Sequence, residues 1–142
     1  MIEIAVTDDE SELARRLDAL LDEAADALGH PFNPKPVGFE ARDRDGSFLG
    51  GLFGWSQLGW FFVKSLALAP EARKRGVGGM LLATAEDHAR ENGLSGVYLD
   101  THEFQAPDFY AKMGYDEVGR LPAAGGHPQR IWFCKVLPEE RP

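Results

Sequence analysis

Apolar and polar positions alternate at the start of the chain, where Ile2, Ile4 and Val6 are separated by Glu3 and Ala5, the period of a half-buried strand. The period then changes. Thr7 and Glu10 have the spacing of a capping box, and Leu13, Leu17, Leu20, Leu21, Ala24 and Leu28 recur as one face of a helix that Gly29 and Pro31 close. From His30 to Val37 three prolines exclude helix and inner strand, so this segment predicts a loop. Val37–Arg42, an Asp45-Gly46 turn, Ser47–Trp55, a break over residues 56–59 and Trp60–Leu68 then predict an antiparallel meander. Its last strand is apolar almost throughout, as a strand covered on both faces would be. Met80, Leu81, Thr84, Ala85 and His88 share the next helix face, which ends at Gly93, and Ser95–Asp100 reads as a strand. Strand, helix, strand over residues 61–100 implies a crossover joining parallel strands. A short helix from Pro107 to a stop at Gly114 follows, then Asp116–Leu121, a loop over residues 122–128 and Gln129–Leu137 as closing strands. The whole is α/β with a mixed sheet, one domain over residues 1–142.

Composition adds exclusions. The chain of 142 residues is 44% hydrophobic and carries a net charge of −8, which argues against a nucleic-acid partner, because phosphate backbones are bound through clustered cations. The same charge favours approach of a cationic amine, although solubility explains it equally well. There is no membrane-length apolar run and no basic-then-apolar leader, so the cytoplasm is the expected location and no membrane partner is expected. Cys134, the single cysteine, lies in an apolar strand pattern and reads as a small core residue. His88 reads as a packed histidine beside its helix stripe, and no metal is expected.

The densest local chemistry is Arg73-Lys74-Arg75-Gly76-Val77-Gly78-Gly79, between an apolar strand and a helix. Cations with glycines before a helix have the make-up of a phosphate cradle, since the backbone can approach the ligand and the helix N-terminus is positive. A nucleotide P-loop would need Lys-Ser or Lys-Thr after the glycines, and a dinucleotide fold would need a third glycine where Leu81 stands. A solvated surface loop remains the plain alternative. With Leu66-Ala67-Leu68-x-Pro70 ahead of it, Arg73-x-x-Gly76-x-Gly78 resembles the coenzyme A pyrophosphate loop of the GNAT superfamily of acetyl-CoA-dependent N-acetyltransferases. Downstream, Ala106-x-x-Phe109-Tyr110-x-Lys112-x-Gly114-Tyr115 is similar to a second segment of that family, in the same order. The resemblance covers nearly the whole chain, except that the family often has two helices where this chain has room for little more than one.

The resemblance implies a GNAT-like fold, a central mixed sheet of about six to seven strands flanked by three to four helices. It implies an acetyl transfer from acetyl-CoA to a primary amine of a small molecule or peptide, without metal. Leu66, Ala67 and Leu68 would offer backbone to the pantetheine arm, while Arg73, Lys74, Arg75, Gly76, Val77, Gly78 and Gly79 would hold the pyrophosphate. Tyr110 would be the acid to the leaving thiolate, with a core tyrosine as its alternative. On this reading Gly78→Val should block the phosphate and leave the fold largely intact. Many relatives place a glutamate on the strand before the loop, where this chain has Lys64 and Ser65, so the base is open among Asp100, His102, Glu103, His127 and water. A non-catalytic acyl-CoA sensor is the second reading; acceptor identity and a homodimer stay open.

Overall fold

The computed structural model describes residues 1–138, which fall into two compact units, Met1–Asn33 and the remainder from Pro34. The first unit is built on helix α1, Glu10–Ala27. Its cap lies two residues beyond the expected box. The Asp9 carboxylate accepts from the Glu12 backbone N–H at 3.0 Å, and Thr7 Oγ1 accepts from the Asp9 N–H at 3.2 Å. Asp ranks above Thr as a cap, so the charged side chain wins the position. Residues 2–6 form no strand, contrary to the alternating pattern. Alternation marks a segment fit for a sheet, but a strand exists only where a neighbouring edge takes up its hydrogen bonds.

The second unit holds β1 (Lys35–Arg42), β2 (Phe48–Gln57), β3 (Trp60–Leu68), α2 (Val77–Glu91), β4 (Gly96–His102), α3 (Pro107–Lys112), β5 (Asp116–Arg120) and β6 (Arg130–Val136). The strands form one mixed sheet in the order β1-β2-β3-β4-β6-β5. Six strands and three α-helices match the expected architecture. Pro36 is tolerated in β1 because that strand is an edge. Strands β3 and β4 run parallel, as the crossover required, and β6 enters antiparallel between β4 and β5. One face buries Leu52, Phe61, Val63, Val97, Leu99, Ile131 and Phe133 against Leu81, Leu82, Ala85 and Ala89 of α2. His88 packs edge-on to Phe39 and Phe61 at 5.8 and 5.6 Å, as a structural histidine would. Cys134 is a free, half-buried thiol on β6.

A bulge interrupts β3. Phe53 of β2 pairs with Ser65, but Gly54 pairs with Val63, so Lys64 has no partner on β2. The strand's burial alternation breaks there as well, with Lys64 and Ser65 both exposed. Gly54 is obligatory at this crossing because a Cβ would stand 2.0 Å from the Phe62 carbonyl oxygen. On its other edge β3 pairs with β4 only over Trp60–Val63 and Gly96–Leu99. Beyond the bulge the two strands part.

Candidate active site

The parting of β3 and β4 opens a polar groove of about 390 Å³ lined by Lys64 to Ala67 on one wall, Asp100 to His102 on the other, and Tyr110 and Gln105 from the following segment. Backbone groups of β3 past Val63 that would have bonded to β4 face this groove instead, the arrangement in which a strand edge can bind an extended ligand. Leu66 and Ala67 line it, as expected. Leu68 does not line it; it lies under Gly78 and borders a separate apolar depression of about 600 Å³ over Gly38, Gly51 and Phe53. The groove, and not that larger depression, collects the acid–base groups.

After β3, Arg73, Lys74 and Arg75 are exposed, and Lys74 is held at a left-handed φ of 65°. Gly76 is the N-cap of α2, also left-handed at φ 78°, and offers no side-chain cap. Met80 is the first residue whose N–H bonds back along the helix, to Gly76 O at 3.1 Å. The N–H groups of Val77, Gly78 and Gly79 therefore precede the ladder at the positive end of a helix of 15 residues. A Cβ at Gly76 would meet nothing within 4 Å, so open space lies over the cap. This cradle of cations, uncapped N–H groups and open backbone suits a diphosphate. Arg75 reaches Asp43 of the β1–β2 turn at 3.4 Å, and that exposed pair leaves the guanidinium free to exchange partners.

Gly78 also has a packing environment that the sequence did not indicate. It is buried, and a Cβ there would lie 3.4 Å from Phe109 Cζ and 3.6 Å from Leu68 Cδ1. A Cβ alone would make ordinary contact with Phe109 of α3, and the two further methyls of a valine would crowd that ring. The expectation that Gly78→Val leaves the fold intact is thus revised.

Tyr110 is brought to the groove by α3, whose Pro107 start and Gly114 stop agree with the sequence. Its ring stacks on Phe109 at 5.1 Å and tilts against Phe133 at 5.8 Å. The side chain is 8% exposed, and among the described residues its hydroxyl makes no hydrogen bond. Burial first, then the charge of Asp100, pushes its pKa above the ordinary phenol value. The hydroxyl therefore stays protonated through the physiological range and is available to a ligand in the groove. The side chain thus belongs to the core and also lines the groove.

Of the four candidate bases, the groove takes Asp100 and His102 and leaves out Glu103 and His127, which sit on flanking loops. Asp100 Oδ1 accepts from Arg130 Nε at 3.0 Å and Nη2 at 2.8 Å, with the guanidinium 5.2 Å from the Trp132 ring. No sequence signal joined Asp100 to Arg130; the β4–β6 pairing did. Lys64, exposed at the bulge, adds a cation at the mouth. Glu86 was also unforeseen: on the buried side of α2, it accepts from Tyr115 Oη at 3.1 Å and Lys135 Nζ at 2.8 Å, tying α2 to α3's exit and β6.

Residues 4–115 match the family model described as the acetyltransferase (GNAT) family. An acetyltransferase of Agrobacterium fabrum is 34% identical over 94 residues, 66% of this chain and 69% of that protein. A blasticidin-S acetyltransferase of Streptomyces morookaense is 41% identical over 78 residues, 54% of this chain and 57% of that one. The crystal structure of an acetyltransferase from Bacillus cereus superposes with a TM-score of 0.80 at 25% identity, covering 96% and 98% of the two chains. With the split sheet, the cradle at α2 and these likenesses in agreement, the chain belongs to the GNAT acetyltransferase family.

Proposed function

We propose that this chain is an N-acetyltransferase that moves an acetyl group from acetyl-CoA to a primary amine of a small molecule or peptide. The carrying observation is that β3, which walls the groove holding Tyr110, leads in sequence to the uncapped N-terminus of α2 and its cationic glycine loop. The pyrophosphate would lie on Arg73 to Gly79, and the pantetheine arm would pair with the free edge of β3 at Leu66 and Ala67, with Leu68 outside the groove. The thioester would then reach the groove at Tyr110. The amine nitrogen forms a bond to the acetyl carbon as the carbon–sulfur bond breaks, the nitrogen gives up one proton, and the thiolate takes one from the Tyr110 hydroxyl. The family match spans both units, which supports reading residues 1–142 as one acetyltransferase domain. The acceptor class follows the blasticidin-S relative, whose name states a small-molecule substrate. A cytoplasmic enzyme with a free thiol at Cys134 fits this reading.

The test is release of free thiol from acetyl-CoA with blasticidin S, kanamycin, nourseothricin, spermidine and a lysine peptide as acceptors. Turnover of any of them supports the enzyme. Acetyl-CoA binding with no thiol release from the panel supports the sensor, which the cation Lys64 in place of a bulge carboxylate would suit. Tyr110→Phe should lower kcat on the order of 10²-fold with acetyl-CoA affinity little changed. Near-normal turnover would reduce Tyr110 to a packing role.

A further inference from the structure

His102 and Gln105 form a unit that the acetyltransferase reading leaves unused. The Gln105 side-chain oxygen receives three contacts: the His102 backbone N–H at 2.9 Å, Thr101 Oγ1 at 3.1 Å and His102 Nδ1 at 3.3 Å. A backbone N–H can only donate, so the amide atom facing it is the carbonyl oxygen Oε1 and not the nitrogen. That oxygen can only accept, so a hydrogen bond at the 3.3 Å contact requires Nδ1 to carry the hydrogen. In the neutral imidazole the lone pair then sits on Nε2. Phe104 stacks on the ring at 5.5 Å and 22°, which holds its plane. The tautomer and the ring orientation are therefore both set from outside the ring.

From this geometry we infer that His102 Nε2 is the proton acceptor for the attacking amine, and that Gln105 is the positioning residue that keeps this nitrogen unprotonated. Asp100, its competitor in the groove, is already balanced by Arg130. The inference rests on the acetyltransferase reading and deepens it. As the nitrogen–carbon bond forms, one proton passes from the amine nitrogen to His102 Nε2, and the thiolate receives a different proton from Tyr110. Both groups are reset by exchange with water once the products leave. The charged and titratable groups around the ring are Asp100 on its own strand, Lys64 of β3 and Tyr110 of α3 in the same groove, and Arg130, its register partner on β6.

Two measurements test this. In protein labelled with ¹⁵N-histidine, long-range ¹H–¹⁵N correlations at a pH where the ring is neutral should show His102 protonated at Nδ1 and bare at Nε2, and Gln105→Met should shift the ring toward the Nε2–H form. A wild-type ring protonated at Nε2 overturns the proposal. In the thiol-release assay, on whichever amine of the panel is turned over, His102→Gln should lower kcat about 10²-fold and remove the acidic limb of the pH profile. Gln105→Met should displace that limb with KM for acetyl-CoA unchanged, a split that a merely structural glutamine would not produce. An unaltered pH profile in His102→Gln overturns the proposal even if the tautomer is as described. Absence of turnover by wild type on every amine defeats the acetyltransferase reading and takes this one with it.

Discussion

The bulge at Lys64 is what connects fold to site, and Gly54→Ala tests that link. A Cβ at residue 54 would lie 2.0 Å from Phe62 O, 3.0 Å from Phe62 C and 3.1 Å from Phe61 Cε1. The nearest atom belongs to the backbone of the paired strand, so no rotamer change relieves the contact. The two strands must separate by about 1 Å even to reach 3.0 Å, the limit of real Cβ contacts. Overpacking of this kind costs about 1–3 kcal/mol, and each strained ladder hydrogen bond adds about 1 kcal/mol. A loss of about 2–4 kcal/mol is therefore expected, a large share of the roughly 5–15 kcal/mol that holds a domain together, and the melting temperature should fall by about 10 °C. Gly119→Ala is the control, because a Cβ there meets nothing within 4 Å and should leave stability nearly unchanged. Thermal melts with a urea titration measure the loss, and acetyl-CoA calorimetry on the folded fraction measures the groove. A Gly54→Ala protein that melts within about 2 °C of wild type and binds acetyl-CoA normally would refute the claim that this crossing sets the opening.

Tyr115→Phe removes the donor to Glu86 Oε2 inside a buried cluster and should cost about 1–3 kcal/mol at pH 8, read from denaturant midpoints. Burial and the Glu86 charge raise the Tyr115 pKa above its ordinary value, so the stabilisation it gives is fully present below about pH 10 and is lost as pH climbs further. The wild-type advantage over the phenylalanine variant should narrow above that point, and an advantage that grows with alkalinity would reverse the argument. Gly78→Val should weaken acetyl-CoA binding and also destabilise the fold by about 1–3 kcal/mol through Phe109, with Gly78→Ala much milder. A valine variant of wild-type stability that has lost only acetyl-CoA would return residue 78 to the phosphate side.

Local periodicity and turn chemistry determined a good deal by themselves. The meander, the β3–α2–β4 crossover, the Pro107 and Gly114 limits of α3, and the cationic glycine loop at the head of α2 all follow from patterns a few residues long, because the forces that set them act over a few residues. His88 was likewise placed correctly as a packed side chain. Local pattern misled where a segment's fate depends on a distant partner. Residues 2–6 alternate like a strand yet pair with none, and nothing near Gly78 in sequence shows that its Cα faces the ring of Phe109, 31 positions away. The bulge at Lys64 falls between the Gly54–Val63 and Phe53–Ser65 pairs, and the β3–β4 pairing ends at the same place, a coincidence of two strand registers that lie far apart in sequence. Four candidate bases were equivalent on paper. Only the β4–β6 pairing, which brings Arg130 to Asp100, and the turn that folds Gln105 back on His102 set them apart, since a proton's place is decided by contacts in space that no short stretch of sequence contains.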